Sequence, residues 1–375
     1  MKNIVPILSI TGSDSTGGSG IQADVKTIFS LGGYAVTALT TITAQNSKHI
    51  LSFENISADL VVSQVKAVLE EIRPKAVKIG LVRDYKTVKA LSNEIIGLRH
   101  IVVDAGFFNS RGERLIGQEV INAFKEYIFH NTEILIIKIK DAEILTGGNI
   151  ISVQDMQSAA LKILEMGVGA VLLQGGHSAE GIVTDIFISN DEKKSPLFFT
   201  SPDTAGWNFH GVAGNLSSAT ATFLAKGETL KNAVVKAHEY IRSLIVYSVA
   251  LDSANIIRHI HDHNVSSRHV EIYNKLMSLV AEYYMKAKDV NFYAEKLNIT
   301  PRYLSQITQK IVDKSPKKLI GDYMMKEIED TLLSTSLTVQ EAAYKFGFSS
   351  QAAFCKFFKA QKGISPKEFR TLKKI

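Results

Sequence analysis

The hydrophobic pattern of this chain changes period once, near Tyr247, and that change commits it to two kinds of structure in series. Before it, short apolar runs alternate with amphipathic stretches: IVPILSI leads into IQADVKTIFSLG and AVTALTTI into LVVSQVKAVLEEI, with AVKIGLV, HIVVDAG, EILIIKI and AVLLQGG following. Strands rich in Val and Ile separated by helical patterns imply βαβ units on a mostly parallel sheet of at least six strands. After Tyr247 the strand pattern stops, and from Glu271 the periodicity is helical to the end. At 375 residues the chain exceeds one ordinary domain. We read 1–248 as an α/β domain, 249–270 as a linker and 271–375 as an all-α domain. His259, His261 and His263 alternate in the linker, a spacing that shares a face only in an extended strand; a hydrated linker is the reading, and no metal is expected.

Charge follows the same division. From Arg268 onward there are 19 Lys and Arg against 11 Asp and Glu, leaving 24 of the chain's 43 cations and 26 of its 37 anions for the rest. A basic terminal domain beside a nearly neutral one suits a polyanion partner for the second and a small molecule for the first. No apolar run approaches the ~18 residues that span a bilayer, so no membrane partner is expected. The single cysteine, Cys355, excludes an internal disulfide and suits the cytoplasm, the expected location.

Two helical hairpins stand out in the basic part. In DVNFYAEKLNITPRYLSQITQKIV, Asp289 can cap one helix, Asn298 can make the turn, and Thr300 with Pro301 can start a second helix. In LTVQEAAYKFGFSSQAAFCKFFKAQKGISPKEFR, Thr338 and Glu341 have capping-box spacing, Gly347 permits the turn and Ser349 starts the next helix. Both are helix-turn-helix patterns. Their second helices expose Arg302, Tyr303, Ser305 and Gln306, and Ser350, Gln351, Ala353 and Lys356, groups suited to phosphates and base edges, while Leu304, Ile307, Phe354 and Phe358 read as core. The run from AAYKFGF onward resembles the DNA-binding domain of AraC/XylS-family transcription regulators. That resemblance implies two helix-turn-helix units joined by a long helix, about Pro316–Leu333, with DNA as partner.

In the first domain, SITGSDSTGGSGIQADVKT places a glycine-rich turn between a strand and a helix, alone a weak signal. TAQN at Thr43–Asn46, KIGL at Lys78–Leu81, VVDAG at Val102–Gly106, LLQGGH at Leu172–His177 and the stretch Phe209–Gly227 follow at strand ends, where open α/β sheets bind ligands. This order resembles the hydroxymethylpyrimidine/phosphomethylpyrimidine kinases of thiamine synthesis, relatives of pyridoxal kinase. The resemblance implies a ribokinase-like three-layer α/β/α sandwich followed by the all-α double helix-turn-helix domain. It also implies that Gln45 hydrogen-bonds an aminopyrimidine, that Gly12, Ser13 and Asp14 lie beside it, and that Leu81 is an apolar pocket residue.

The departures from that family fall on its chemistry. A glycine-rich H-G-T-G-C turn, whose amides hold phosphate and whose Cys or Asp assists deprotonation, reads here His210-Gly211-Val212-Ala213-Gly214. The anion turn Gly211, Val212, Ala213 and Gly214 is therefore degenerate, and Gly214 has no side chain to accept a proton. The family's T-P-N-L-P-E-A-E becomes Ile136 to Glu143, losing the Asn that helps organise Mg–ATP but keeping Asp141 and Glu143, and a lysine before the glycine pair becomes Gln174. The expectation is a non-catalytic, ligand-responsive transcription regulator that senses a thiamine-pathway pyrimidine, requires no cofactor, binds Mg–ATP poorly if at all, and dimerises if it follows its relatives. The alternative is an active hydroxymethylpyrimidine or pyridoxal kinase fused to a DNA-binding domain.

Overall fold

The computed structural model describes residues 4–46, 50–108, 114–177, 182–193, 195–202, 209–246, 249–251, 254–256, 267–287, 289–335 and 337–372. The chain forms two compact units, Met1–His259 and Ile260–Ile375. His259, His261 and His263 lie outside the described residues.

The first half of the first unit runs β1 (Pro6–Thr11), α1 (Gly20–Ser30), β2 (Tyr34–Leu39), β3 (Thr41–Gln45), β4 (Ile50–Asn55), α2 (Ala58–Glu71), β5 (Ala76–Ile79), α3 (Tyr85–Glu94) and β6 (Ile101–Ala105). It continues through α4 (Gln118–Ala123), β7 (Ile134–Lys138), α5 (Ile139–Thr146), α6 (Val153–Leu164), β8 (Ala170–His177), β9 (Ile182–Ser189), β10 (Leu197–Pro202), β11 (Phe209–His210), α7 (Val212–Ala225), α8 (Leu230–Val246), β12 (Val249–Leu251) and β13 (Ala254–Ile256). Eight strands form one sheet in the order β10, β9, β8, β7, β6, β5, β1, β2. From β2 to β8 the pairing is parallel; β9 joins β8, and β10 joins β9, antiparallel.

The central strands are apolar on both faces because both faces are covered. Leu8, Ile10, Val77, Val103 and Leu135 pack with residues of α2, α3, α4 and α6, whereas Ile7, Val102, Ile134 and Leu172 pack with α1, α7 and α8. This is the expected three-layer sandwich. Outside it, β3 and β4 form an antiparallel hairpin, and β11, β13 and β12 a small sheet. Residues 249–256 were expected in the linker; instead β12 and β13 pair with each other, and β13 lies alongside β11. Strands of three residues are too short for periodicity to mark.

The second unit contains α9 (Ser267–Tyr283), α10 (Val290–Lys296), α11 (Pro301–Val312), α12 (Pro316–Ser334), α13 (Val339–Lys345), α14 (Gln351–Lys362) and α15 (Pro366–Leu372). Its ends are set by local chemistry. Asp289 and Thr300 accept from the amides of Asn291 and Tyr303, Asn298 turns at φ 52°, and Thr338 and Glu341 close a reciprocal capping box. Gly347 has φ 69°, as the second turn requires. The next helix is capped by Ser350, one residue later than expected, because its hydroxyl and not that of Ser349 accepts from the Ala353 amide. Leu304, Ile307, Phe354 and Phe358 are fully buried. Among the described residues no helix is long and apolar enough to cross a membrane.

Gly211 caps α7 in the left-handed region at φ 88°, where a β-carbon would stand 1.8 Å from the Gly18 carbonyl oxygen. Gly211→Ala should therefore destabilise the first unit by more than about 2 kcal/mol, read as an earlier urea transition; an unchanged midpoint would contradict this packing.

Candidate functional site

The glycine-rich turn after β1 is wound around one carboxylate. Asp14, 1% exposed, accepts from the amides and hydroxyls of both Thr16 and Ser19, each at 2.8 Å. His210 Nε2, delivered by β11, meets Asp14 Oδ2 at 2.6 Å. Burial alone would push this carboxyl up, but the hydrogen bond and charge of His210, with the bonds from Thr16 and Ser19, hold it well below the usual carboxylate range.

The same turn is sewn to β3. Ser13 donates its amide to Thr41 O at 2.8 Å and its Oγ accepts from the Thr43 amide at 3.1 Å; Ser15 Oγ donates to Thr43 O at 2.5 Å and accepts from the Gln45 amide at 3.3 Å. Gln45, at the end of β3, holds its Nε2 3.3 Å from His210 Nε2, and its Oε1 accepts from Thr43 Oγ1 at 3.4 Å. Leu81 completes the set. Its amide donates to Thr11 Oγ1 at 3.0 Å, and its Cδ2 lies 3.6 Å from where a β-carbon on Gly12 would be. The fold thus gathers Gly12, Ser13, Asp14, Gln45 and Leu81 at the ends of β1, β3 and β5.

His210 belongs to this set, although the sequence alone shows it only as a loop histidine. Its position before the glycine turn was the available signal.

A second cluster lies beneath the strand ends. Lys78, in the middle of apolar β5 and 1% exposed, pairs with fully buried Asp24 of α1 at 2.8 Å. Ser9 Oγ and Ser218 Oγ donate to the two Asp24 oxygens at 2.5 and 2.7 Å. A β-carbon on Gly80 would come within 2.7 Å of Lys78 Nζ and 2.4 Å of Thr11 Oγ1, so glycine there makes room for the ammonium. Beside the pair, burial pushes the Asp104 carboxyl up, against the pull of Lys78 and Lys138.

Gly214, in the first turn of α7, faces these acids. A β-carbon there would be 3.8 Å from Asp104 Oδ2 and 3.9 Å from Asp24 Oδ1, in ordinary contact, and none is present. Asn215 next to it is fully buried and committed to structure: its Nδ2 donates to Gly211 O at 2.7 Å, and its Oδ1 accepts from Thr27 at 2.6 Å. Val212 and Ala213 form the rest of that turn, both half-buried.

The two acids kept in the nucleotide-side motif are also engaged. Glu143 accepts from the Ile150 amide at 2.8 Å, and Asp141, 1% exposed, from the Phe108 amide at 3.1 Å. Burial pushes Asp141 up to about 7, against the nearby Lys138 ammonium and the Phe108 and Phe107 amides and with a further push from Asp104.

In the second unit, α11 exposes Arg302 and Gln306, with Tyr303 and Ser305 half-buried and the Tyr303 ring edge-on to His269 at 5.9 Å. On α14, Ser350, Gln351, Ala353 and Lys356 are exposed, and Cys355 is half-buried.

Because folding raises the Asp141 pKa, the neutral form is the favoured one: its stability is complete below about pH 4 and is lost as pH rises through about 7. Asp141→Asn removes that titration. Relative to the variant, the wild type should lose on the order of 1–3 kcal/mol between pH 5 and pH 8 in denaturant titrations; parallel profiles would refute the assignment.

Comparison with known proteins agrees with this geometry. Residues 14–258 match the phosphomethylpyrimidine kinase family model, and residues 293–371 match a helix-turn-helix domain model. The hydroxymethylpyrimidine/phosphomethylpyrimidine kinase of Rhizobium meliloti is 35% identical over 243 residues, 64% of this chain and 89% of that protein. The thiamine biosynthesis bifunctional protein of Geobacter sulfurreducens is 34% identical over 241 residues, 64% of this chain, which spans only 49% of that relative's length. The crystal structure of phosphomethylpyrimidine kinase from Clostridium difficile superposes with TM-score 0.56 at 33% identity, covering 64% of this chain and 98% of that one. By this match, and by the strand-end architecture that carries it, the chain belongs to the phosphomethylpyrimidine kinase family, joined here to a C-terminal AraC-type helix-turn-helix domain.

Proposed function

We propose that this chain is a cytoplasmic, ligand-responsive transcription regulator: the kinase-like unit binds a thiamine-pathway pyrimidine, hydroxymethylpyrimidine or its phosphate, without phosphorylating it, and the helix-turn-helix unit binds DNA. The observation that carries this reading is Gly214, which has no side chain of its own to take a proton, in the same unit as the bonded set of Asp14, His210 and Gln45. A lost general base typically lowers a rate by ~10²–10⁴. Phosphoryl transfer depends on positioning and charge stabilisation, so a missing group at the reaction centre is felt directly in the rate. In this reading no cofactor is required.

Occupancy becomes a signal only if the ligand prefers one domain arrangement, because equal affinity shifts no population. If the kinase-like units dimerise, two double helix-turn-helix domains would be presented, and paired or repeated DNA sites are expected.

The names of the relatives support a second reading, an active kinase carrying a DNA-binding domain. Purified full-length chain assayed with Mg–ATP and hydroxymethylpyrimidine or pyridoxal decides between them. The expected result is no turnover above background while calorimetry registers pyrimidine binding, weakened about tenfold or more in Gln45→Ala; robust turnover would establish the kinase.

A further inference from the structure

Among the described residues no ion pair involves Arg83, a cation beside the candidate ring-binding set. It lies two residues beyond Leu81, in the loop between β5 and α3. Its guanidinium carbon stands 3.7 Å from the centroid of the Phe53 ring on β4. Phe53 is the register partner of Thr43 in the β3–β4 hairpin, and directly opposed residues share a face. Thr43 Oγ1 also touches Ser13 and Gln45. Phe53, Thr43 and Gln45 therefore share the hairpin face that meets the glycine-rich turn, and Arg83 is stacked on that face.

Two further facts make this arginine unusual. Its Nε is buried and has no hydrogen-bond partner, and no ion pair involving it occurs among the described residues. Burial lowers its pKa, with no carboxylate offsetting the effect. A guanidinium taken partly out of water without an acceptor is costly. Stacking on an aromatic ring occupies the guanidinium's face, and no hydrogen bond of its terminal nitrogens occurs among the described residues; such nitrogens grip phosphate or carboxylate with paired bonds.

We propose that Arg83 is a specificity-determining residue that reads an anionic oxygen group, phosphate or carboxylate, on or beside the ring held by Gln45. This rests on the pyrimidine-binding reading of the same pocket. It gives that reading a direction: the chain responds to the anionic member of an alcohol and phosphate pair.

The test is calorimetry on the full-length chain with hydroxymethylpyrimidine, its monophosphate and inorganic phosphate, in wild type, Arg83→Lys and Arg83→Ala. Wild type should bind the monophosphate at least tenfold more tightly than the alcohol. Arg83→Ala should bring that ratio close to one, and Arg83→Lys, which keeps the charge but not the planar fork, should fall between Arg83→Ala and wild type. A merely structural role would weaken both pyrimidines together and leave the ratio unchanged, which overturns the inference, as does a wild type that binds both alike. If inorganic phosphate tightens binding of the alcohol in wild type but not in Arg83→Ala, the anion is a free one. If it has no effect while the monophosphate preference holds, the anion is carried by the ring. Binding of neither pyrimidine would remove the pocket reading itself, and the inference with it.

Discussion

The pair of opposite charges buried beneath the strand ends, Lys78 and Asp24, determines how the rest of the first unit is arranged. Such a pair is unfavourable unless its remaining hydrogen-bonding capacity is met. Here Ser9 of β1 and Ser218 of α7 satisfy the carboxylate, and Gly80 leaves room for the ammonium. Four elements are thereby tied at one point: β1, β5, α1 and α7. Removing one charge from a buried pair typically costs ~3–5 kcal/mol, which makes the geometry above it hard to vary. The first turn of α7, with Gly214, is held against Asp104 and Asp24 by this anchor.

Above the anchor the cleft has two sides with different fates. On the ring side, Asp14 organises the glycine turn, engages His210 and lies within one short chain of contacts from Gln45. On the transfer side, Gly214 has no functional group, Asn215 is consumed by helix packing, and Glu143 and Asp141 serve backbone amides. Both sides are bonded internally, and they differ in that the ring side keeps a carboxamide, a carboxylate and an imidazole together, whereas the first turn of α7 carries no side chain at Gly214.

Local signals were read well from sequence and tertiary ones were not. The caps of α10, α11 and α13 follow from residues within three positions of each other, so their chemistry is visible in the chain itself. The shift from Ser349 to Ser350 shows the limit of that reading: adjacent serines are equivalent until the backbone angle at one of them is known. Gly12, Ser13, Asp14, Gln45 and Leu81 were named through their family pattern, and the fold brings them to neighbouring strand ends. Lys78 and Asp24 were not, because a lysine inside AVKIG and an aspartate inside IQADVKTI look like surface residues until the fold buries both. His210 reaches Asp14 across 196 positions, and Arg83 reaches Phe53 from another element, contacts that no periodicity encodes. The β12–β13 hairpin escaped because its strands are three residues each.

The claim that pocket occupancy itself is the message is tested most directly by fluorescence anisotropy of the full-length chain on DNA selected by it from a random pool, with pyrimidine alcohol or phosphate added and Mg–ATP omitted. A several-fold change in apparent DNA affinity is expected at saturating ligand, abolished in Gln45→Ala. An affinity that stays the same with the pocket filled would contradict it.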